Sequence, residues 1–294
     1  MKTFKNTLLV MLVGVLSFFL INAVASVTKV ENPELPQAKP LDFCGEIVPL
    51  QIADVQERLD KELTINRNLH ASTELVIKRA NRYFPIIEPI LKQHGVPDDF
   101  KYLAVIESKL ENAVSPAGAR GIWQFMPATA KEYGMEVNAF VDERYHLGKS
   151  TQAACKYLLE AKEKFGSWTL AAAAYNGGMS GITRQIERQK ITPNYYDLLL
   201  TEETSRYVFR ILALKEIMQN PEKYGYSIPT TELYNRISTK IIEVSTTIPN
   251  LADFATEQGI NYKILKIHNP WLRDISLKNN SGKTYKIEIP IEGY

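Results

Sequence analysis

One glutamate stands out for the company it keeps. Glu107 lies in a stretch that opens after Pro97, where Asp98 and Asp99 supply the first-turn carboxylates that favour a helix start. Phe100, Leu103, Glu107 and Leu110 then recur at steps of three and four, with Ala104 beside them, while Asp98, Lys101, Ser108 and Asn112 fall on the opposite, polar side. The spacing therefore predicts a helix that points Glu107 into its apolar face. A carboxyl among apolar side chains is costly to ionise, so its pKa should rise and leave it a proton donor near neutrality. Those are the properties of a glycosidase acid. The alternative is a core glutamate satisfied by an arginine such as Arg120 or Arg144, and periodicity alone leaves both readings open.

Three further segments bear on the choice. Ser115-Pro116-Ala117-Gly118-Ala119-Arg120-Gly121 is built of residues that permit tight turns or let a ligand approach the backbone. Ile122-Trp123-Gln124-Phe125-Met126-Pro127 follows it, and its aromatics, amide and thioether suit a sugar, which offers apolar ring faces and hydroxyl edges. Ordinary core packing is the alternative. Ser167 reads as the N-cap of a helix over residues 168–175, whose alanines at 171–174 permit close packing beneath Tyr175-Asn176-Gly177-Gly178. Asn176 is expected either to face a cleft or to serve as a plain helix cap. A last helix opening at Glu203-Thr204-Ser205-Arg206-Tyr207 carries Tyr207, Ile211, Leu214 and Met218 on one stripe, which brings a hydroxyl to an apolar interface.

These segments, in this order and spacing, resemble the catalytic (SLT) domain of bacterial lytic transglycosylases, especially the membrane-bound D type. The resemblance rests on Ile106-Glu107-Ser108, the run from 115 to 127, Ala-Ala-Tyr-Asn-Gly-Gly at 173–178 and Glu-Thr-Ser-Arg-Tyr at 203–207, with residues 141–144 and 150–154 resembling that group's intervening segment. It covers residues 95–215 and implies a lysozyme-like α fold. It also implies that Glu107 is the catalytic acid and base, and that Ser108, Gln124, Met126, Tyr175, Asn176, Glu203 and Tyr207 contact substrate. Gly177 stands where the family usually has alanine, and Ser205 separates Thr204 from Arg206. The resemblance implies cleavage of peptidoglycan strands to 1,6-anhydro ends with one carboxyl serving both steps, and it accounts for the absence of a second carboxylate placed in a motif as nucleophile or water-activating base. The alternatives are a lysozyme-type peptidoglycan hydrolase and a noncatalytic peptidoglycan-binding protein. No metal and no organic cofactor is implied.

The rest of the chain frames this domain. Lys2 and Lys5 precede an apolar run over residues 8–21, and Ala23-Val24-Ala25 offers a cleavage site, so residues 1–25 read as a signal peptide for export to the periplasm or cell envelope. An uncleaved anchor is the alternative, since the run approaches the roughly 20 residues of a membrane span. No later stretch resembles a transmembrane helix, so no stable membrane insertion is expected once the leader is removed. The formal charge of +2 falls to zero when Lys2 and Lys5 leave, which excludes nucleic acid as an evident partner; nothing predicts an oligomeric state. After export, Cys44 and Cys155 would meet an oxidising compartment, where pairing would stabilise the fold by about 4–5 kcal/mol; two buried unpaired thiols are the alternative. His70, His94, His146 and His268 show no metal-ligand spacing.

Residues 26–47, with Pro33, Pro36 and Pro40, read as an extended tether or wrap. Residues 48–228 carry the helical period, broken at Pro85, Gly95-Val96-Pro97, 115–121, Gly166 and Gly177-Gly178. Residues 240–247 and 283–290 alternate like strands, with short helical stretches between. Residues 238–294 resemble a LysM module through Leu251, Phe254-Ala255, Gly259, Leu265 and Asn269, although Ser245-Thr246-Thr247 replaces the usual Gly-Asp-Thr opening. The resemblance implies a small α+β glycan-binding module; a structural cap is the alternative. Pro270-Trp271 adds an aromatic that either binds or packs inside. The expected fold class is mainly α, a lysozyme-like domain followed by this module.

Overall fold

The helix that carries Glu107 is short and enclosed. Helix α3 (Phe100–Ser108) buries Phe100, Tyr102, Leu103, Ala104, Val105, Ile106 and Ser108, so other elements cover it nearly all round. The computed structural model describes residues 40–292. The signal-peptide assignment, most of the proposed tether and the last two residues lie outside that range. Among the described residues no helix is long and apolar enough to cross a membrane.

Around α3 stand α1 (Ala53–Asn68), α2 (His70–Gln93), α4 (Pro127–Glu132), α5 (Leu147–Phe165), α6 (Trp168–Gly177), α7 (Met179–Gln189) and α8 (Glu202–Gln219). Helix α8 is the hub, packing on α1, α3 and α6, while α2 and α6 pack on α5. Its Val208, Phe209, Ile211, Leu212, Ala213 and Ile217 are fully buried, and so are the four alanines of α6. Small side chains there let α6 approach its neighbours closely, as the alanine run predicts. The mainly helical class is as expected.

Local signals explain most helix ends. Ser167 caps α6 by accepting from the Leu170 N–H at 3.3 Å, and α5 ends at Gly166 with φ +71°, a conformation natural to glycine. Pro85 does not break the chain. Helix α2 runs through both Pro85 and Pro89, because Ile87 and Leu91 on its inner face are fully buried and their packing outweighs the lost backbone bonds. Helix α3 also stops earlier than its stripe predicts. Lys109 and Leu110 are left-handed, at φ 54° and 57°, so Leu110 reaches the core from outside the helix.

Residues 41–47 lie against the helical domain. Strands β1 (Asp42–Phe43) and β2 (Glu46–Ile47) form a small hairpin whose Phe43 is fully buried, edge-on to Phe100 at 5.3 Å. Asp99, expected simply to start α3, instead braces this hairpin: its carboxylate accepts from the Cys44 N–H and from Lys215 Nζ of α8, both at 2.7 Å. Cys44 and Cys155 are both free thiols. Cys44 sits in the hairpin turn with its backbone tied to Asp99, while Cys155 is fully buried on α5, so each has its own packing environment.

Residues 240–247 and 283–290 form the expected pair, β3 (Thr239–Val244) antiparallel to β4 (Tyr285–Pro290), in register from Thr239↔Pro290 to Val244↔Tyr285. Helices α9 (Leu251–Glu257) and α10 (Tyr262–His268) complete this module. Asn269 is fully buried. Its amide donates to Leu265 and Glu288 carbonyls at 3.0 and 2.7 Å and its oxygen accepts from the Glu288 N–H at 2.8 Å, so it pins α10 to β4. Trp271 packs inside, stacked on Tyr285 at 5.7 Å.

The module is docked on the helical domain. Val141 pairs with Leu272, the Asp142 N–H donates to the Trp271 carbonyl at 2.9 Å, and Lys283 bridges Glu136 and Glu143 at 2.7 and 3.0 Å. Between the two, the connecting segment lies along α2, with the Tyr234 N–H on the Lys78 carbonyl and Arg82 Nε on the Asn235 carbonyl.

Glu46 caps α6 from a distant part of the chain. Its carboxylate accepts from the Trp168 and Thr169 N–H groups at 2.5 and 2.9 Å and from both the Ser167 and Thr169 hydroxyls at 3.0 Å. Burial opposes its ionisation, but these donors prevail and hold its pKa below the ordinary 4.5. Its contribution is therefore present above that ordinary value and is lost as pH falls through the lowered one. Glu46→Gln should lower unfolding free energy by about 1–3 kcal/mol at neutral pH, read by denaturant titration, with the gap to the parent protein narrowing in acid.

Candidate active site

Glu107 occupies the last turn of α3, facing α8. Its Oε1 accepts a hydrogen bond from the Tyr207 hydroxyl, and Tyr207 is itself buried. Burial raises the Glu107 pKa to about 7; the Tyr207 hydrogen bond and the Arg210 charge work against that rise, and Glu203 reinforces it. Neither arginine considered as a partner from the sequence reaches it in this way. Arg144 and Arg120 both turn to Asp142, with Arg144 forming two bonds of 2.8 and 2.7 Å and Arg120 standing at 3.7 Å. Tyr207 and Tyr175 are held as neutral hydroxyls, because burial first, and the Glu107 charge next, pushes both pKa values well above 10.0.

Helix α6 brings the next groups. The Tyr175 hydroxyl donates to the Trp123 carbonyl at 2.7 Å, and its ring meets Phe125 and Tyr157 edge-on at 5.8 and 5.2 Å. Tyr175 thus joins α6 to the loop after α3. Asn176 links α6 to α8: its Nδ2 donates to Glu203 at 3.1 Å and its Oδ1 accepts from Thr204 at 2.8 Å. Asn176 is therefore a cross-brace between two helix ends, a role beyond the plain cap. Gly177 fits the same junction, since a Cβ there would lie 3.2 Å from the Thr204 side chain. The glycine that departs from the family pattern is matched by its neighbour.

The loop over residues 111–126 is a folded unit. Arg120 bridges Val114 on one side and Phe125 on the other. Gly121, at φ +81°, is required, because a Cβ would fall 1.9 Å from the Arg144 carbonyl oxygen. Several side chains expected at the sugar turn inward. Ser108 is buried and donates to the Ala104 and Ile122 carbonyls at 3.3 and 2.8 Å, which places it off the predicted polar face. Gln124 donates its amide to the Ala113 and Gly121 carbonyls at 3.1 and 2.7 Å. Trp123 is fully buried with its indole N–H on Thr151 at 2.8 Å, and Phe125 is buried too, so this cluster is core. In that run Met126 and Pro127 are the exposed residues.

Sequence reading missed what holds the loop. Arg144, buried with Asp142, also donates to the Gly118 and Phe125 carbonyls at 3.1 and 3.2 Å. Arg210 was missed as well; its guanidinium donates to the Ile106 carbonyl at 3.1 Å, one residue from Glu107. A buried pair whose members lie two residues apart carries no periodic signal, although an arginine and an aspartate inside an otherwise apolar stretch hint at one. Among the described residues no cluster of His, Cys, Asp and Glu could hold a metal ion.

Comparison with known proteins now defines the class. Residues 84–197 match the family model described as the transglycosylase SLT domain, and residues 240–293 match the soluble lytic transglycosylase C-terminal LysM-like domain. The chain carries an SLT domain followed by a LysM-like domain. Two relatives are the membrane-bound lytic murein transglycosylase D proteins of Escherichia coli strain K12 and of strain O6:H1 CFT073, each 30% identical over 251 residues. That alignment covers 83% of this chain and 54% of each relative, so the chain spans about half the length of the curated relatives it matches. An inactive mutant of the lytic transglycosylase Slt from Pseudomonas aeruginosa aligns over 52% of this chain and 26% of its own, at 21% identity and a TM-score of 0.37.

Arg144→Met should destabilise the protein by about 3–5 kcal/mol, because buried Asp142 keeps only the more distant Arg120, at 3.7 Å, and the Gly118 and Phe125 carbonyls lose their donor. Chemical denaturation measures it. Asp142→Asn paired with Arg144→Met should recover part of that loss.

Proposed function

We propose that this chain is a peptidoglycan lytic transglycosylase that cleaves the β-1,4 bond between N-acetylmuramic acid and N-acetylglucosamine. The observation that carries the proposal is the desolvated Glu107 carboxyl, with a pKa near 7 and a neutral tyrosine hydroxyl as its hydrogen-bond partner. The SLT match over residues 84–197 and the relatives named as lytic murein transglycosylases support the same reading.

In this mechanism protonated Glu107 gives its proton to the glycosidic oxygen, and the C1–O bond breaks. The carboxylate that results is stabilised by the Tyr207 hydroxyl and by the charge of Arg210. It then takes the proton from the C6 hydroxyl of the same muramyl residue as that oxygen bonds to C1, closing a 1,6-anhydro ring. No water is consumed, and Glu107 ends protonated as it began. The intramolecular nucleophile gains from proximity, and the carboxylate faces the positive charge that develops at C1. Asn176 and Tyr175 form the wall of the site, and exposed Met126 offers an apolar contact to sugar.

One observation favours a second reading. Glu203 is a carboxylate near enough to raise the Glu107 pKa, and an ordinary lysozyme-type hydrolysis needs such a second group. Its exposure and its tie to the Asn176 amide argue for a positioning role instead. Products separate the two: anhydro-muramyl ends support the transglycosylase, reducing muramyl ends the hydrolase. The export and envelope location expected from residues 1–25 belong to this proposal.

Digestion of purified cell wall followed by mass analysis should yield anhydro ends, and Glu107→Gln should reduce their formation by at least about a hundredfold. Because Glu107 must begin protonated, kcat/KM should fall as pH rises through about 7. Tyr207→Phe removes a hydrogen bond that favours the charged carboxylate, so it should lower kcat and move that alkaline limb to higher pH.

A further inference from the structure

A cavity lies in the seam where the C-terminal module meets the helical domain, lined by none of the residues that the mechanism uses. Its volume is about 250 Å³, and a neighbouring space of about 340 Å³ shares His146, Gly148 and Trp271 with it. Ligand sites favour junctions between domains, and roughly 300–1,000 Å³ is typical of them, so the seam has room for a small ligand. Ile86 and Ile122 of the helical domain and Ile237 of the connecting segment give it an apolar wall. Ile267 of α10 stands 57% exposed on the lining, an aliphatic side chain left in solvent.

The seam also gathers donors with nothing to bond. Tyr145 and Trp271 are 6% and 4% exposed, and buried tyrosine and tryptophan ordinarily find a partner for their O–H and N–H. Among the described residues neither the Tyr145 hydroxyl nor the Trp271 indole N–H has one, yet both side chains line the seam. Neither atom is sealed in, since the one enclosed side-chain polar atom without a partner among the described residues is the Tyr196 hydroxyl. His146 supplies a third donor. Its Nδ1 accepts from the Lys149 N–H at 3.4 Å, so the neutral ring carries its proton on Nε2, and burial holds its pKa below 6.5. On the rim Arg236 is accompanied by the Glu288 carboxylate, and Arg82 is turned to the Asn235 carbonyl and the Tyr234 ring. Three uncharged donors among aliphatic side chains select an uncharged ligand with carbonyl or hydroxyl oxygens and an apolar face.

We propose that the seam binds an N-acetylated amino sugar, whose acetamide and hydroxyl oxygens take the donors of Tyr145, His146 and Trp271. The proposal rests on the glycan reading above and adds a second place at which a strand is held. The LysM resemblance implies a grip by the module alone. Here Tyr145 and His146 come from the helical domain and Trp271 from the module, so the site is complete only in the docked arrangement.

The test follows the indole N–H signal of Trp271 by NMR in the full chain, recognised by its loss in Trp271→Phe, as N-acetylglucosamine is added. The signal should shift saturably with N-acetylglucosamine and stay in place with glucose, which lacks the acetamide. Tyr145→Phe removes one neutral donor and should weaken binding about fivefold. Ile237→Trp, which fills the space from the connecting segment, should abolish the shift. A parent protein whose Trp271 signal does not move, an equal shift with glucose, or an affinity unchanged in both variants overturns the proposal. Saturable binding in a protein that forms no anhydro ends sinks the transglycosylase reading and leaves the seam site standing; anhydro ends from a protein whose Trp271 signal stays fixed sink the seam site alone.

Discussion

The contact between the Glu107 carboxyl and the Tyr207 hydroxyl sets the terms for the rest of the molecule. An acid kept largely out of water, yet given one donor, is poised between its two protonation states near neutrality, with a pKa of about 7. Too little burial would leave it a surface carboxylate; an arginine in contact would fix its charge. The domain is arranged to avoid both. Helix α8 supplies the tyrosine and holds Arg210 on the neighbouring carbonyl, while Asp142 occupies the two arginines closest in sequence to the site loop. Charge is managed here by assigning partners elsewhere.

Holding that contact requires rigidity at a place where the chain is irregular. Helix α3 is only nine residues long and ends in successive left-handed residues, so its last turn cannot be secured by its own length. The structure secures it from outside: Asp99 ties its start to the hairpin and to Lys215, Ser108 ties its end to Ile122, and Arg144 ties the following loop to the core. Tyr175 and Asn176 then join that loop and α8 through α6. Three of these six bonds run from a side chain to a backbone carbonyl, which positions the loop without demanding space in the site.

Much of this was legible in the sequence, and the boundary follows physical lines. Periodic features were readable: the stripe on α8, the alanine run of α6, the alternation of β3 and β4, and the Ser167 cap all depend on residues a few positions apart. Glu107 was readable for the same reason. What failed to show depends on partners distant in the chain. Ser108 looked polar and exposed because its acceptor, the Ile122 carbonyl, lies fourteen residues on. Trp123 and Gln124 have the composition of a sugar platform but are consumed by Thr151 and by the loop backbone. Glu46 caps α6 from more than a hundred residues away. Pro85 misled because a local rule was overruled by buried Ile87 and Leu91.

The docked C-terminal module has a consequence for how a polymer would be handled. A carbohydrate module on a loose linker searches a volume, and its benefit depends on linker length. Here Lys283 is clamped between Glu136 and Glu143, and Val141 adds a backbone pairing to Leu272, so the module has one fixed displacement from Glu107. Any grip it exerts on a strand would act like a vernier stop, rewarding only those repeats whose spacing and screw angle match that offset.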